Sequence, residues 1–441
     1  MNINFKKYFK DIDHSLFFNR FVFHNTTDGQ HFIGHTPLYN HIGKHIEFRY
    51  NQNFSYQENK INIWYVRNDY CAEYVYSDKK DTIQKNIPNE IVKYINNGKL
   101  ILLLSTSTEF DTDHFWYKVI KYCESIGIDK NKIFILNSNF KTQIPNSFKL
   151  SFSGVAANKY DIGIPWIEKY SDRFPYTEDY IDFLKNNKKT KKFMCLNAHY
   201  REHRHYIFYK LHRNKLLKDC FFSFCLGQGI NHVEHPRKRM IEEWKNYSVD
   251  LDIEDYEYSL KILDELPINL EDDNFWDTPL IVKNPILSKF NHYYRPWVLK
   301  DLDMISNTYF NVATESTNDC DHGRFSYFSE KTFIGWITQP TIIVGTPFTI
   351  SQLKSLGFES FSEMFDESYD EIISNDLRLQ KTYKEIERVC NLPENELSAI
   401  YNDILPKIKY NQEKLFEHEF IGEFKNILEK LIQESGVEVS Q

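Results

Sequence analysis

The run "KLILLLST" (99–106) constrains this chain most, because it offers no polar side chain between positions 100 and 104. A strand with nothing to show water on either face belongs in a parallel sheet covered by helices on both sides. The next segment, "DHFWYKVIKYCESIG" (113–127), has helical spacing and an acidic start, and "KIFILNSN" (132–139) reads as a second buried strand. Together they form a βαβ unit with short loops, which is right-handed by the usual crossover rule. "INIWYV" (61–66) adds a further strand on the amino-terminal side.

The pattern lapses over 151–180, where Gly, Pro and turn residues break the periodicity, so a crossing between domains is expected around 165–190. It restarts as strand "KFMCLN" (192–197), a helix over 202–217 and strand "CFFSFCLG" (220–227). A long acidic, irregular segment runs to about 300, followed by "YFNVATES" (309–316) and then "FSEKTFIGWITQPTIIVG" (328–345). From about 370 the chain is helical and polar-amphipathic. With 441 residues, more than one ordinary core is expected. The expectation is an α/β fold of two Rossmann-like domains, 1–175 and 176–375, with a helical tail over 376–441.

Seven cysteines are scattered without a C-x-x-C pair, which suits reduced thiols in a cytoplasm and gives no disulfide or zinc framework. No run approaches a membrane span, and "MNINFKKYFKDIDHS" lacks the apolar core of a signal peptide. The net charge of −8 argues against wholesale nucleic-acid binding, but it is unevenly spread. Residues 185–239 hold 14 Lys and Arg against Glu202, Asp219 and Glu234. Such a block suits the phosphate of a nucleotide or of a nucleic-acid backbone, or is a solvated lysine-rich linker.

Two clusters carry chemistry. In "CLNAHYREHRHY" (195–206) a strand ends at Asn197 and a helix begins near Glu202. Loops at the carboxyl ends of such strands are where open α/β sheets bind ligands. Arg201, His203 and Arg204 there, beside a helix N-terminus, suit phosphate oxygens. In the second cluster a strand ends at Glu315–Ser316 and a helix begins after Ser329 as N-cap, with Phe333, Trp336 and Ile337 facing the core. Glu330 and Lys331 then occupy the first turn, followed by Thr332. Glu330 is a favourable first-turn acid, but Lys331 opposes the helix dipole and invites a ligand as its explanation.

These residues carry a resemblance. Phe310-x-x-x-x-Glu315, then Ser329-Glu330-Lys331-Thr332-Phe333, then Pro340-x-Ile342-Ile343-Val344-Gly345 resembles the nucleotide-sugar domain of GT-B glycosyltransferases, with a fucosyltransferase-like pattern. The wider stretch through "LKSLGFESFSEMFDESYDEI" looks like predicted glycosyltransferases of phage, cyanobacterial and large-virus genomes. Their upstream N-x-x-x-R-x-H-R segment is matched by Asn197, Arg201, His203 and Arg204. One departure is Ile334-Gly335, where those proteins have a Lys-Pro step. The resemblance implies two domains facing a cleft and a nucleotide-diphosphate sugar as donor substrate. It implies Glu330 on the ribose, Lys331 with Arg201 or Arg204 on the diphosphate, and Glu315 near sugar or ribose. Asn197, His203, Ser329 and Thr332 complete the donor set. It also implies inversion and leaving-group stabilisation by basic side chains, with no obligate metal or other cofactor.

Acid pairs of the form D-x-D occur at Asp11/Asp13, Asp111/Asp113, Asp250/Asp252, Asp301/Asp303 and Asp319/Asp321, too cheaply to assign a metal. The His-rich "HYREHRHYIFYKLH" lacks carboxylate ligands, and its arginines repel a cation. "GQG" (227–229) lacks the third glycine of a dinucleotide fingerprint. A base for the acceptor hydroxyl is sought among Asp69, Glu109, Asp111 and Asp113, with Asp69 and Asp111 as first choices. His31, His35 and His41 could line the acceptor side, and "FDESYD" (365–370) either closes the site or is a helix-capping acidic turn. The acceptor is a hydroxymethylated base in phage DNA, with host cytoplasm as the location, or a glycan. The competing class is a non-catalytic nucleic-acid-binding protein using 185–239. Nothing in the sequence sets an oligomeric state.

Overall fold

The computed structural model describes residues 15–24, 46–49, 54–67, 87–105, 113–137, 143–149, 174, 176–197, 200–224, 236–251, 253–266, 268, 302–319, 329–417 and 420–437. It is a mixed α/β protein with two parallel sheets, and its described residues fall into two compact units. One comprises residues 15–149 and 420–437, the other 174–417. The helices beyond 370 are therefore divided between the units: only the last of them joins the amino-terminal sheet.

In the first unit the elements are α1 (Ser15–Phe18), β1 (Phe21–His24), β2 (Glu47–Arg49), β3 (Ile61–Arg67), α2 (Asn89–Asn96), β4 (Ile101–Ser105) and α3 (Asp113–Ser125). A 3-10 turn (Lys130–Lys132), β5 (Ile133–Asn137) and β6 (Ser147–Lys149) follow, and α13 (Phe420–Ser435) completes the unit. Among the described residues the sheet has the order β2-β1-β3-β4-β5-β6, every pair parallel. The run that opened the sequence argument forms β4, between β3 and β5, with Leu100 to Leu104 all buried. Trp64, Val66, Leu102, Leu104, Ile133 and Ile135 pack with Ile91, Ile95, Phe115, Trp116, Val119 and Cys123 of α2 and α3. A turn with Gly127 at φ +90° lets the chain leave α3.

The second unit contains α4 (Thr177–Asn186), β7 (Phe193–Asn197), α5 (Glu202–Arg213), a 3-10 turn (Leu216–Asp219) and β8 (Cys220–Phe224). Next come α6 (Pro236–Tyr247), α7 (Tyr256–Lys261), α8 (Leu302–Ser306), β9 (Phe310–Thr314), α9 (Glu330–Thr338) and β10 (Thr341–Val344). The unit closes with α10 (Thr349–Ser355), a 3-10 turn (Glu367–Glu371), α11 (Asn375–Cys390) and α12 (Glu394–Glu417). Its four-stranded parallel sheet has the order β10-β9-β7-β8. The segment read as irregular, between β8 and β9, contains α6 and α7. "PRKRMIEEWKNY" hides its helix because Met240 and Trp244, one turn apart, are its buried apolar anchors.

Helix α9 begins where the sequence placed it. Ser329 Oγ accepts from the Lys331 N–H at 3.2 Å as N-cap, and Phe333, Trp336 and Ile337 are buried. Gly335 has a packing reason: a Cβ there would overlap Thr341 and lie 2.8 Å from Asn311 Nδ2. Its last carbonyls are satisfied from outside, by Gln412 Nε2 on Ile337 O at 2.7 Å and Tyr180 Oη on Thr338 O at 3.0 Å.

Candidate functional site

The strand order of the second sheet fixes where a ligand can bind. From β7 the chain goes outward to β8, then returns to the other side of β7 as β9 and continues to β10. The direction in which strands are added therefore reverses between β7 and β9, and the crevice outside their carboxyl ends is the topological switch point. All strands being parallel, the starts of α5 and α9 also lie at this edge, and their dipoles supply positive potential there.

The residues singled out in the sequence meet at this point. Thr314 Oγ1, at the end of β9, donates to Asn197 Oδ1 at 2.6 Å, and Asn197 Nδ2 donates to Ser223 O of β8 at 3.2 Å. Arg204 Nη2 donates to Thr314 O at 3.1 Å and to Glu315 O at 2.9 Å. His203 Nε2 lies 3.0 Å from the same Glu315 carbonyl, so it carries the proton and donates. Burial, reinforced by the Arg204 charge, lowers the His203 pKa to about 3 and keeps the ring neutral. Arg201 is exposed; its Nε donates to Ser316 O at 3.3 Å and its Nη1 to Tyr200 O at 3.3 Å.

The start of α9 reaches the same two residues. Glu315 Oε1 accepts from the Ser329 N–H at 2.9 Å and from the Thr332 hydroxyl, and Lys331 Nζ lies 3.3 Å from Ser329 Oγ. Lys331 is half-buried, while Ser329, Thr332 and Glu315 are buried. Glu330 starts the helix, and its side chain lies outside the described ones. Thus Asn197, His203, Arg204, Glu315, Ser329, Lys331 and Thr332 are linked by hydrogen bonds through Thr314 and Glu315, and Arg201 adjoins them at Ser316. Their exposure sorts them. Arg201 reaches water and Lys331 partly does, whereas Arg204 and His203 are buried against backbone carbonyls.

Sequence reasoning missed Arg378. This buried guanidinium of α11 donates from Nε to Gly345 O at 2.9 Å, from Nη1 to Ile372 O at 2.7 Å, and from Nη2 to Asn318 O. It ties the segments leaving β9 and β10 to one helix. Its signal was a charge on the apolar stripe of Leu379, Thr382, Tyr383 and Ile386. Asn318 Nδ2 also donates to Tyr247 Oη of α6 at 2.7 Å, so the segment 315–318 is held from α5, α6, α9 and α11.

The acidic "FDESYD" turn resolves as capping. Asp370 accepts from the N–H groups of Ile350 and Ser351 at 3.0 Å each, at the start of α10, and Asp366 caps the 3-10 turn through Ser368 N–H. Eight cations of the basic block are committed elsewhere. Lys189, Lys191 and Lys192 precede β7, at the sheet edge opposite Arg201, about 16 Å along the strand. Lys189 Nζ meets Leu184 O and Ser306 O, Lys191 Nζ meets Lys218 O, and Lys192 Nζ meets Cys390 O and Leu392 O. Lys210 and Arg213 pair with Glu254, Arg237 with Asp264, Lys238 with Glu242, and Arg239 with Glu243.

The histidines of α5 diverge: His205 faces Ser259 O and Trp244, and His212 faces Tyr258 and Glu265. Among the described residues no group of three or more His, Cys, Asp or Glu could hold a metal ion. No helix among them is long and apolar enough to cross a membrane. Asp69, Glu109, Asp111, His31, His35, His41 and the glycines at 227 and 229 lie outside the described residues, as does at least one member of every D-x-D pair. Asp113 starts α3 and accepts from the Gln143 N–H at 3.0 Å. Comparison of the chain with protein-family models, with curated proteins and with solved structures returned no match.

Proposed function

We propose that this protein is a glycosyltransferase that takes its sugar from a nucleotide diphosphate bound at the β7/β9 switch point. The observation that carries the reading is that Arg201, bonded to Ser316 O, and Lys331, bonded to Ser329 Oγ, flank the segment after β9, because Ser329 N–H is itself held by Glu315 Oε1. Two basic groups with solvent access, set beside the starts of α5 and α9 at the ligand-binding edge of a parallel sheet, suit a diphosphate. Arg204 contributes potential from within, its fork committed to carbonyls. Glu330 takes the ribose hydroxyls by the resemblance described above.

In this reading the acceptor hydroxyl oxygen attacks the anomeric carbon while the bond from that carbon to the diphosphate oxygen breaks. The hydroxyl proton passes to a base, with Asp69 and Asp111 the proposed choices, and inversion follows from the fucosyltransferase-like pattern. Negative charge growing on the leaving diphosphate meets Arg201, Lys331 and the helix starts, which need no reorganisation. The acceptor is a glycan or a hydroxymethylated base, and the reaction is placed in a cytoplasm. Against the rival reading of a nucleic-acid-binding protein stand Lys189, Lys191 and Lys192, bound to carbonyls, and the ion pairs of Lys210, Arg213, Arg237, Lys238 and Arg239. Thermal-shift screening with UDP, GDP, ADP and CMP tests the proposal. At least one should raise the melting temperature, and Arg201→Ala with Lys331→Ala should remove the shift; no shift with any of them overturns it.

A further inference from the structure

We infer that Glu315 is a positioning residue of the proposed anion site: it sets Arg201 and Lys331 against one ligand without touching that ligand itself. The inference rests on the reading above and changes the part that the resemblance gave to Glu315.

The side chain and main chain of Glu315 serve different neighbours. Its carbonyl accepts from His203 and Arg204, and the next carbonyl, of Ser316, accepts from Arg201. Its carboxylate works on α9, where Oε1 takes the Ser329 N–H and the Thr332 hydroxyl. Ser329 Oγ then caps the Lys331 N–H and lies 3.3 Å from Lys331 Nζ. Two basic side chains far apart in sequence are thus held by the immediate neighbours of Glu315, Arg201 by Ser316 O and Lys331 by Ser329 Oγ. Glu315 is 0 % exposed, so a ligand in the crevice meets what this residue holds, not the residue itself.

Two further observations point the same way. Glu315 Oε2 is buried without a hydrogen-bond partner, an arrangement that costs stability and calls for an explanation. Oε1 alone makes the anchoring bonds, so the anchor needs an acceptor oxygen and not a charge. Gly345 makes the room: a Cβ at that position would lie 3.0 Å from Glu315 Cγ and 3.3 Å from its Cβ. Any side chain at 345 therefore presses on the anchor.

The test uses the full chain, calorimetric titration with UDP, GDP, ADP and CMP, and hydrogen exchange over 329–333. Glu315→Gln keeps the acceptor and should hold nucleotide affinity within about threefold. Glu315→Ala and Gly345→Ala should each lose about tenfold in affinity, with faster exchange in the first turn of α9. If Glu315→Ala lowers the melting temperature while its folded fraction binds with the wild-type Kd, the role is merely structural and the inference fails. If Glu315→Gln loses as much as Glu315→Ala, a direct or charge contact is responsible and the inference fails. Should Glu315→Ala not fold, Gly345→Ala carries the same comparison. A wild-type chain that binds none of the nucleotides overturns the proposed function and this inference with it; unchanged exchange in the variants overturns the anchor alone.

Discussion

Arg204 Nη2 donates to the Glu315 carbonyl at 2.9 Å, joining the first turn of α5 to the residue that follows β9. The same nitrogen reaches Thr314 O at 3.1 Å, so one guanidinium nitrogen spans the last peptide units of the strand. A lysine is shorter and its rotatable ammonium lacks the fixed planar donor geometry that reaches both carbonyls. Arg204→Lys should therefore cost about 2–4 kcal/mol of stability, seen as a lower urea midpoint at unchanged slope. An unchanged midpoint would contradict the structural role given to Arg204.

Acid should unfold this protein through its buried histidines. Burial lowers His203 and His205 to about 3, so both rings are neutral when folded and charge near 6.5 when unfolded. The unfolded chain binds the extra protons in that window. Stability is fully present above 6.5 and is lost as pH falls toward 3, by about 1.4 kcal/mol per unit for each histidine. His205→Gln should remove part of this slope in urea titrations between pH 6.5 and 4; an identical slope would rule out the histidine as its source.

Lys189 predicts a second window. Burial lowers its pKa to about 7, and its Nζ is placed to donate to Leu184 O, Ser306 O and Tyr401 Oη. The unfolded lysine holds its proton up to 10.5, so stability should rise from pH 7 toward 10.5. Lys189→Met should flatten that rise; a variant with the wild-type profile would show that the amine is charged in the fold.

The sequence made part of this legible and hid part for physical reasons. Strands β4, β5, β7, β9 and β10 announced themselves because a strand buried on both faces has no polar alternation to confuse. Ser329 was readable as a cap because its effect is local, on the N–H groups of the next turn. That the starts of α5 and α9 share one sheet edge came only from the resemblance and not from spacing, since it depends on the order β10-β9-β7-β8, which no local pattern encodes. Nor could spacing show that Arg204 turns its fork inward to carbonyls while Arg201, three residues earlier, stays in water. The lysine run over 185–192 read equally as a phosphate site or a solvated linker, because composition cannot tell a solvated amine from one bonded to carbonyls, as those of Lys189, Lys191 and Lys192 are.

Gly335 gives a packing prediction. A methyl group there would overlap Thr341 and press on Asn311, both on buried strands. Gly335→Ala should destabilise the second unit by about 1–3 kcal/mol despite the better helix propensity of alanine. A gain in melting temperature would contradict the close approach of α9 to β9 and β10.

The central claim is that Arg201 and Lys331 face one anionic ligand at the β7/β9 switch point. Isothermal titration of nucleoside diphosphates into the wild type, Arg201→Ala, Lys331→Ala and the double variant tests it directly. The account predicts saturable binding of at least one diphosphate and a loss in each single variant. Because both groups meet the same phosphates, the loss in the double variant should be smaller than the sum of the two. Wild-type affinity in both single variants, or strictly additive losses, would contradict a shared site.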